Sequence, residues 1–315
     1  MIEELRPQDP RQMGPYRLTG RLGGGGMGEV YLGRSAGGRA VAVKVIRAEL
    51  AADPEFRYRF RREVAAARSV NGLYTALVAD ADADGPVPWL ATAYVPGPSL
   101  SGAVRGHGPL PERSVLALAG GLAEGLGAIH AAGLVHRDLK PSNVLLADDG
   151  PRVIDFGISR AAGSTVLTSA GWVVGSPGFM SPEQAAGRPV GPPADVFSLG
   201  AVLTFAATGV GPFGAGATPA LLYRIVHGEP DLERVPDRVR QLVRRCLAGN
   251  PAERPTADDL LAELGDVQLW AEWLPESLLA EIRGSPAGSG RRRAGAGGPR
   301  ARGAAGVAAG VAAGR

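Results

Sequence analysis

The 315-residue chain holds one cysteine, Cys246. A single thiol excludes an intramolecular disulfide framework and a thiolate zinc cluster. Lysine occurs twice, asparagine three times, and aromatic residues make up 5%. No stretch reaches the roughly 18 uninterrupted apolar residues that a membrane helix needs. The opening Met1-Ile2-Glu3-Glu4-Leu5-Arg6-Pro7 is acidic rather than apolar, so no secretory signal is expected. Against these shortages, 45% hydrophobic and 21% charged residues make a globular composition. The length suits about two domains at roughly 100–200 residues each. A reducing, cytoplasmic setting is expected.

Acid is missing altogether from residues 284–315, which carry Arg291, Arg292, Arg293, Arg300, Arg302 and Arg315. Setting these six charges apart from the total of +3 leaves −3 for residues 1–283. The basic character therefore belongs to a tail, expected as a disordered, solvated extension rather than a specific nucleic-acid arm. Its small-residue end, Gly303 to Arg315, is too short to span a bilayer by itself.

Residues 16–47 read as short strands, with Ala40–Ile46 rich in β-branched residues and Gly37-Gly38 a turn. Residues 54–69 read as a helix opened by Pro54 after Asp53. Phe56, Phe60, Glu63 and Ala67 share one face of it, and a carboxylate on that apolar stripe needs a cationic partner. A strand over Val87–Val95 leads to a hinge at Pro96-Gly97-Pro98. From Pro111 the pattern turns helical, with Val115, Leu118, Leu122, Leu126 and Ile129 as a stripe. Further helices are expected at 195–209, 218–227, 236–248 and 256–264. A small β-rich unit followed by a larger helical one predicts an α+β protein of two lobes. Cys246, in an apolar helix, is expected as a core residue. His107, His130 and His227 have no metal-ligand spacing. Trp270 and Trp273 are expected to pack on the helical lobe rather than form a docking patch.

The run Leu22-Gly23-Gly24-Gly25-Gly26-Met27-Gly28-Glu29-Val30 contains G-x-G-x-x-G at Gly23, Gly25 and Gly28. Bare glycines let backbone N–H groups approach phosphate oxygens. Alone the signal is poor: with 47 glycines in 315 residues, about one chance match arises over about 310 start points. Strand-like sequence on both sides favours a hairpin flap over phosphates against a dinucleotide fold. Lysine usage says more. Of 34 basic residues only Lys44 and Lys140 are lysine, a compact point charge where arginine offers a planar fork. Lys140 lies within His136-Arg137-Asp138-Leu139-Lys140-Pro141-Ser142-Asn143, and Asp155-Phe156-Gly157 follows after the strand-like Arg152-Val153-Ile154.

These motifs, in this order, resemble the eukaryotic-like (Hanks-type) bacterial serine/threonine protein kinases over about residues 16–264. The resemblance implies a bilobal fold, with a β-rich N-lobe containing one key helix (16–95) and a helical C-lobe (98–267). It leaves 1–15 as an N-terminal extension, 268–283 as a short amphipathic segment and 284–315 as the tail. It implies that Leu22 to Val30 cover the ATP phosphates, and that Lys44 holds two of them and pairs with Glu63. Asp138 would accept or orient the substrate hydroxyl proton, with Lys140 near the transferring phosphate. Asn143 and Asp155 would ligate Mg2+, with Mn2+ a substitute, through oxygens. Ala42 and Leu145 would sandwich adenine, backbone near Ala93 and Val95 would bind its edge, and the small Thr92 would leave the back pocket open. Asp195 would anchor the catalytic loop, and Glu183 would pair with Arg254, both as structural residues.

The lysine in the catalytic loop and the segment 175–183 imply Ser/Thr hydroxyls of proteins as acceptors. Ser181 stands where alanine is commoner, and Ala93 where an acidic hinge residue is common. Ser159, Ser164, Thr165, Thr168 and Ser169 lie between Phe156 and Ser176, and Arg137 is placed to pair with a phosphate there. Autophosphorylation is expected, through self-association, with Thr168 first and Thr165 second. A pseudokinase scaffold is the alternative, but no essential position is replaced. A small-molecule phosphotransferase is a third reading, against which the arginine before Asp138 and the docking segment count. Because such kinases are often membrane-anchored, the cytoplasmic membrane face is the alternative location.

Overall fold

The computed structural model describes residues 2–156, 177–265 and 272–284. The first lobe is a six-stranded sheet of β1 (Gln12–Met13), β2 (Tyr16–Gly24), β3 (Gly28–Arg34), β4 (Ala40–Ile46), β5 (Val78–Asp82) and β6 (Trp89–Ala93). Its order is β1-β2-β3-β4-β6-β5, and each neighbouring pair is antiparallel. Side chains alternate between faces along a strand. Val41 and Val43 join Tyr16, Leu18, Tyr31, Trp89 and Ala91 in an apolar layer on one face. Ile46 and Leu90 belong instead to the main core of the molecule.

The short α1 (Ala48–Ala51) and α2 (Pro54–Ala67) come between β4 and β5. Asp53 caps α2 by accepting from the Glu55 N–H, with Pro54 at the first turn, as its sequence predicts. The buried stripe is Phe56, Phe60, Val64 and Ala67. Glu63, expected on that stripe, lies at its edge and is half-buried. Each fully buried phenylalanine contributes about 1.5–3 kcal/mol, so the apolar row, not the carboxylate, docks the helix.

The second lobe contains α3 (Leu100–His107), α4 (Glu112–Ala131), the β7 (Val144–Ala147) and β8 (Gly150–Val153) hairpin, and α5 (Pro182–Ala185). It continues with α6 (Pro192–Thr208), α7 (Thr218–His227), α8 (Asp237–Cys246), α9 (Ala257–Leu264) and α10 (Glu276–Gly284). Val115, Leu118, Leu122, Leu126 and Ile129 of α4 are fully buried, as expected. Among the described residues α4 alone is long and apolar enough to cross a membrane, and it is mostly buried as the axis of this lobe. Gly200 on α6 leaves room for Cys246 and Leu247, into which a Cβ would run. Cys246 is fully buried, and that burial pushes its thiol up to about 12, so it is an unreactive core group.

Described segments on either side of residues 16–264 pack on the two lobes. Residues 1–15, expected as an extension, supply β1 and an antiparallel bridge from Glu3 to Arg21. Beyond α9, Trp273, Leu274, Leu278, Leu279 and Ile282 are buried against the helical lobe. Trp273 Nε1 donates to the Ala147 carbonyl at 3.2 Å, and Arg283 pairs with Asp148 at 2.9 Å. Trp270 and the tail 285–315 lie outside the described residues.

Arg254 donates to both carboxylate oxygens of Glu183 at 2.7 and 2.9 Å, with both residues buried. Burial acts to raise the Glu183 carboxyl, yet the Arg254 bonds and charge, with a backbone N–H and Ser181, together hold it below its ordinary range. Arg254→Met strips the cation from a buried carboxylate and is expected to cost about 3–5 kcal/mol, read by denaturant unfolding. A loss below about 1 kcal/mol, as for an exposed pair, contradicts the assignment.

Candidate active site

The loop between α4 and β7 is pinned from below. Asp195, fully buried on α6, accepts from the His136 and Arg137 N–H groups at 2.8 Å each. Its Oδ2 also lies 2.8 Å from His130 Nε2. Gln184 Nε2 donates to the Arg137 carbonyl at 2.8 Å, and His136 Nε2 sits 3.1 Å from the Ile154 carbonyl. Among the described residues the non-glycines with left-handed backbone are Arg137 (φ 65°) and Asp155 (φ 58°). Such conformations cost of order 1–3 kcal/mol each and persist where the surroundings overdetermine them. The bonds to Asp195 and Gln184 do so at Arg137.

Above this base the expected groups meet. Lys140 Nζ donates to Asp138 Oδ2 at 2.8 Å. Asn143 Nδ2 donates to the Asp138 carbonyl at 2.9 Å, which directs its amide nitrogen inward along the loop. From the other lobe, Lys44 Nζ reaches Asp155 Oδ2 at 3.2 Å. The sequence-based pairing of Lys44 with Glu63 is therefore not the one formed. Glu63 Oε2 is buried without a hydrogen-bond partner, and Arg59 and Arg137 are the cations acting on it through space. Burial pushes the Glu63 carboxyl up to about 7, which makes it a weak counter-ion for an ammonium.

The flap residues Leu22, Gly23 and Gly24 end β2, and Gly28, Glu29 and Val30 begin β3. A Cβ at Gly25 or Gly26 would meet nothing within 4 Å, so the turn between the strands is open. Gly28 serves a different need: a Cβ there would strike the Val45 carbonyl of β4. Met27, within the flap, turns its side chain into the core that also holds Ile46, Phe56 and Phe60.

Ala42 on β4 lies opposite Thr92 on β6, and Val41 opposite Ala93. Leu145 is on β7 of the other lobe, joined by an isolated bridge to Ser99. Gly97 (φ 147°) lets the chain between lobes pass so close to Leu146 that a Cβ would strike its carbonyl. The Ala93 N–H donates to the Leu77 carbonyl at 2.9 Å, so that donor of the Ala93–Val95 segment is committed within the sheet. Gln184 and His130 escaped sequence reasoning. Ser181-x-x-Gln184 is a capping-box pattern, and the box forms, which was the available signal for α5. Gly157 and the hydroxyl residues from Ser159 to Ser169 lie outside the described residues.

The donor set fits a divalent metal on a polyphosphate. Among the described residues no three His, Cys, Asp or Glu side chains form a stand-alone metal group. Mg2+ is commonly bound through one or two protein oxygens plus substrate phosphates, and Asn143 and Asp155 offer such oxygens. The open turn at Gly25 and Gly26 supplies space for backbone donors to approach phosphate.

A protein-family model described as "Protein kinase domain" matches residues 16–264. The chain is 55% identical over 278 residues to the probable serine/threonine-protein kinase PkwA of Thermomonospora curvata, covering 88% of this chain and 38% of that protein. It is 51% identical over 294 residues to the serine/threonine-protein kinase AfsK of Streptomyces coelicolor, covering 90% and 37%. It thus spans little more than a third of these relatives' length. The crystal structure of the Mycobacterium tuberculosis PknI kinase domain superposes with a TM-score of 0.62 at 29% identity, covering 82% of this chain and 98% of that one.

Because Glu63 titrates near 7 when folded but near 4.5 otherwise, it is protonated more in the folded state between those values. Its contribution then erodes as pH rises from about 4.5 through about 7. Glu63→Gln is expected to flatten the fall in melting temperature across that window. An unchanged pH slope in the variant refutes the assignment.

Proposed function

The chain belongs to the protein kinase domain family, and on that premise we propose that it transfers the γ-phosphoryl group of ATP to serine or threonine hydroxyls of proteins. The observations that carry this are the convergence of Asp138, Lys140 and Asn143 on one loop and the contact of Lys44 from the first lobe with Asp155 of the second. Asp138 would accept or orient the hydroxyl proton. Lys140, 2.8 Å from that carboxylate, would stabilise negative charge on the transferring group. Lys44 would hold the non-transferred phosphates under the flap. Asn143 and Asp155 would hold Mg2+, which when bound neutralises phosphate charge. The work of these residues is positioning and electrostatic stabilisation.

Every position that a silent scaffold would be expected to have lost is present, which favours the active enzyme over the pseudokinase alternative. The proposal includes trans-autophosphorylation at Thr168, or else Thr165, through transient self-association, and a cytoplasmic setting where ATP is supplied.

Phosphate incorporation into a generic protein substrate tests the assignment. Asp138→Asn removes the proton acceptor and is expected to lower turnover about 10²–10⁴-fold. Lys44→Met is expected to abolish transfer while the fold, followed by circular dichroism, stays intact. Incorporation by both variants equal to that of the wild type rules out the site. Mass spectrometry after ATP treatment is expected to find phosphate at Thr168 or Thr165, and its absence between residues 159 and 176 removes the autophosphorylation proposal.

A further inference from the structure

The flap is tied to the first residues of the chain. Glu3 and Arg21 exchange backbone hydrogen bonds, Glu3 N–H to the Arg21 carbonyl at 2.9 Å and the reverse at 2.8 Å. A Cβ at Gly20 would run into the Ile2 side chain and the Glu3 carbonyl, so the segment lies flush on β2 where that strand has no side chain. Leu5 packs on the apolar layer formed by Tyr16, Leu18, Tyr31, Val41, Val43, Trp89 and Ala91. A chain of charges then runs from this segment into the flap. Asp9 is buried and accepts from Arg21 Nη1 at 2.5 Å, from the Tyr31 hydroxyl at 3.0 Å and from the Arg6 N–H at 2.8 Å. The other end of the Arg21 fork, Nη2, reaches Glu29 Oε2 at 2.5 Å. Glu29 lies within the flap, and its carboxylate occupies the space that a Cβ on Gly24 would need.

The location of this link matters. The β2–β3 register shifts between Arg21 and Gly23, so the ladder is irregular at the root of the flap. Ladder hydrogen bonds hold the hairpin less firmly there. A charge-assisted pair across the irregularity is roughly twice as strong as a neutral hydrogen bond and supplies the missing constraint.

We propose that residues 2–9 form a strap whose Asp9, acting through Arg21 on Glu29, positions the glycine-rich flap for nucleotide binding. Asp9 and Arg21 are positioning residues; neither needs to touch the nucleotide. The inference rests on the flap covering ATP phosphates. Fixing the flap before binding removes part of the ordering cost that binding would otherwise carry.

The test uses the full chain, with Mg-ATP and a protein substrate, comparing wild type with Asp9→Asn, Glu29→Ala and the double variant. Each single change is expected to raise KM for ATP about 3–10-fold while KM for the protein substrate holds, and the double change to be no worse than the worse single, as members of one chain act together. Deuterium exchange without nucleotide is expected to quicken at residues 22–30 in both single variants. Exchange and ATP KM within twofold of wild type in both single variants overturn the strap. So does a lower melting temperature in Asp9→Asn with an unaltered ATP KM, since the segment then only covers the apolar layer. If Asp9→Asn does not fold, Glu29→Ala alone decides by the same two readouts. A wild type that binds no ATP refutes the proposed function instead, and the exchange measurement still reports on the strap.

Discussion

One buried carboxylate governs the geometry of the cleft. Asp195 has no contact with solvent, and the His136 and Arg137 N–H groups, with His130 beside it, supply the hydrogen-bond partners its buried oxygens require. The same bonds hold Arg137 in a left-handed conformation that a non-glycine residue does not adopt freely. That turn delivers Asp138 to Lys140 and Asn143 within five residues. The rigid base is α6, whose sequence around Asp195 is almost wholly apolar and buried. Precision at the polar surface of the cleft thus derives from packing beneath it.

The upper lobe meets this base through a lysine–carboxylate contact, Lys44 with Asp155. Lys44 is sequestered by Asp155 across the cleft, while Glu63 keeps a buried, unpartnered oxygen. A carboxyl so placed lowers its cost by taking a proton, which is why burial is the leading cause of its raised titration. The helix that carries Glu63, α2, is docked by Phe56, Phe60 and Val64 rather than by an ion pair with Lys44.

Elements on either side of the span matched by the family model add to both lobes. The first residues cover an apolar layer of the sheet that would otherwise face water. At the other end Trp273, Leu278 and Ile282 seal the helical lobe, and Trp273 and Arg283 attach to the β7–β8 hairpin. Each reinforces a hairpin that carries site residues: the flap in one lobe, Leu145 in the other.

Sequence alone determined the two-lobe division and the longer elements, because alternation in Ala40–Ile46 and the α4 stripe are local patterns with fixed periods, whereas β1, β5, α3 and α5 carry no such pattern and came only with the structure. It also singled out the loop His136–Asn143, since two lysines in an arginine-rich chain mark places where a point charge is kept. The partner of Glu63 was not legible because a motif position does not reveal which way a side chain turns. The pairing of Lys44 with Asp155 joins residues from different lobes, and Asp9 with Glu29 joins a leading segment to a flap. Electrostatic partners across such distances are selected by burial and competing charges, which exist only after the chain has packed.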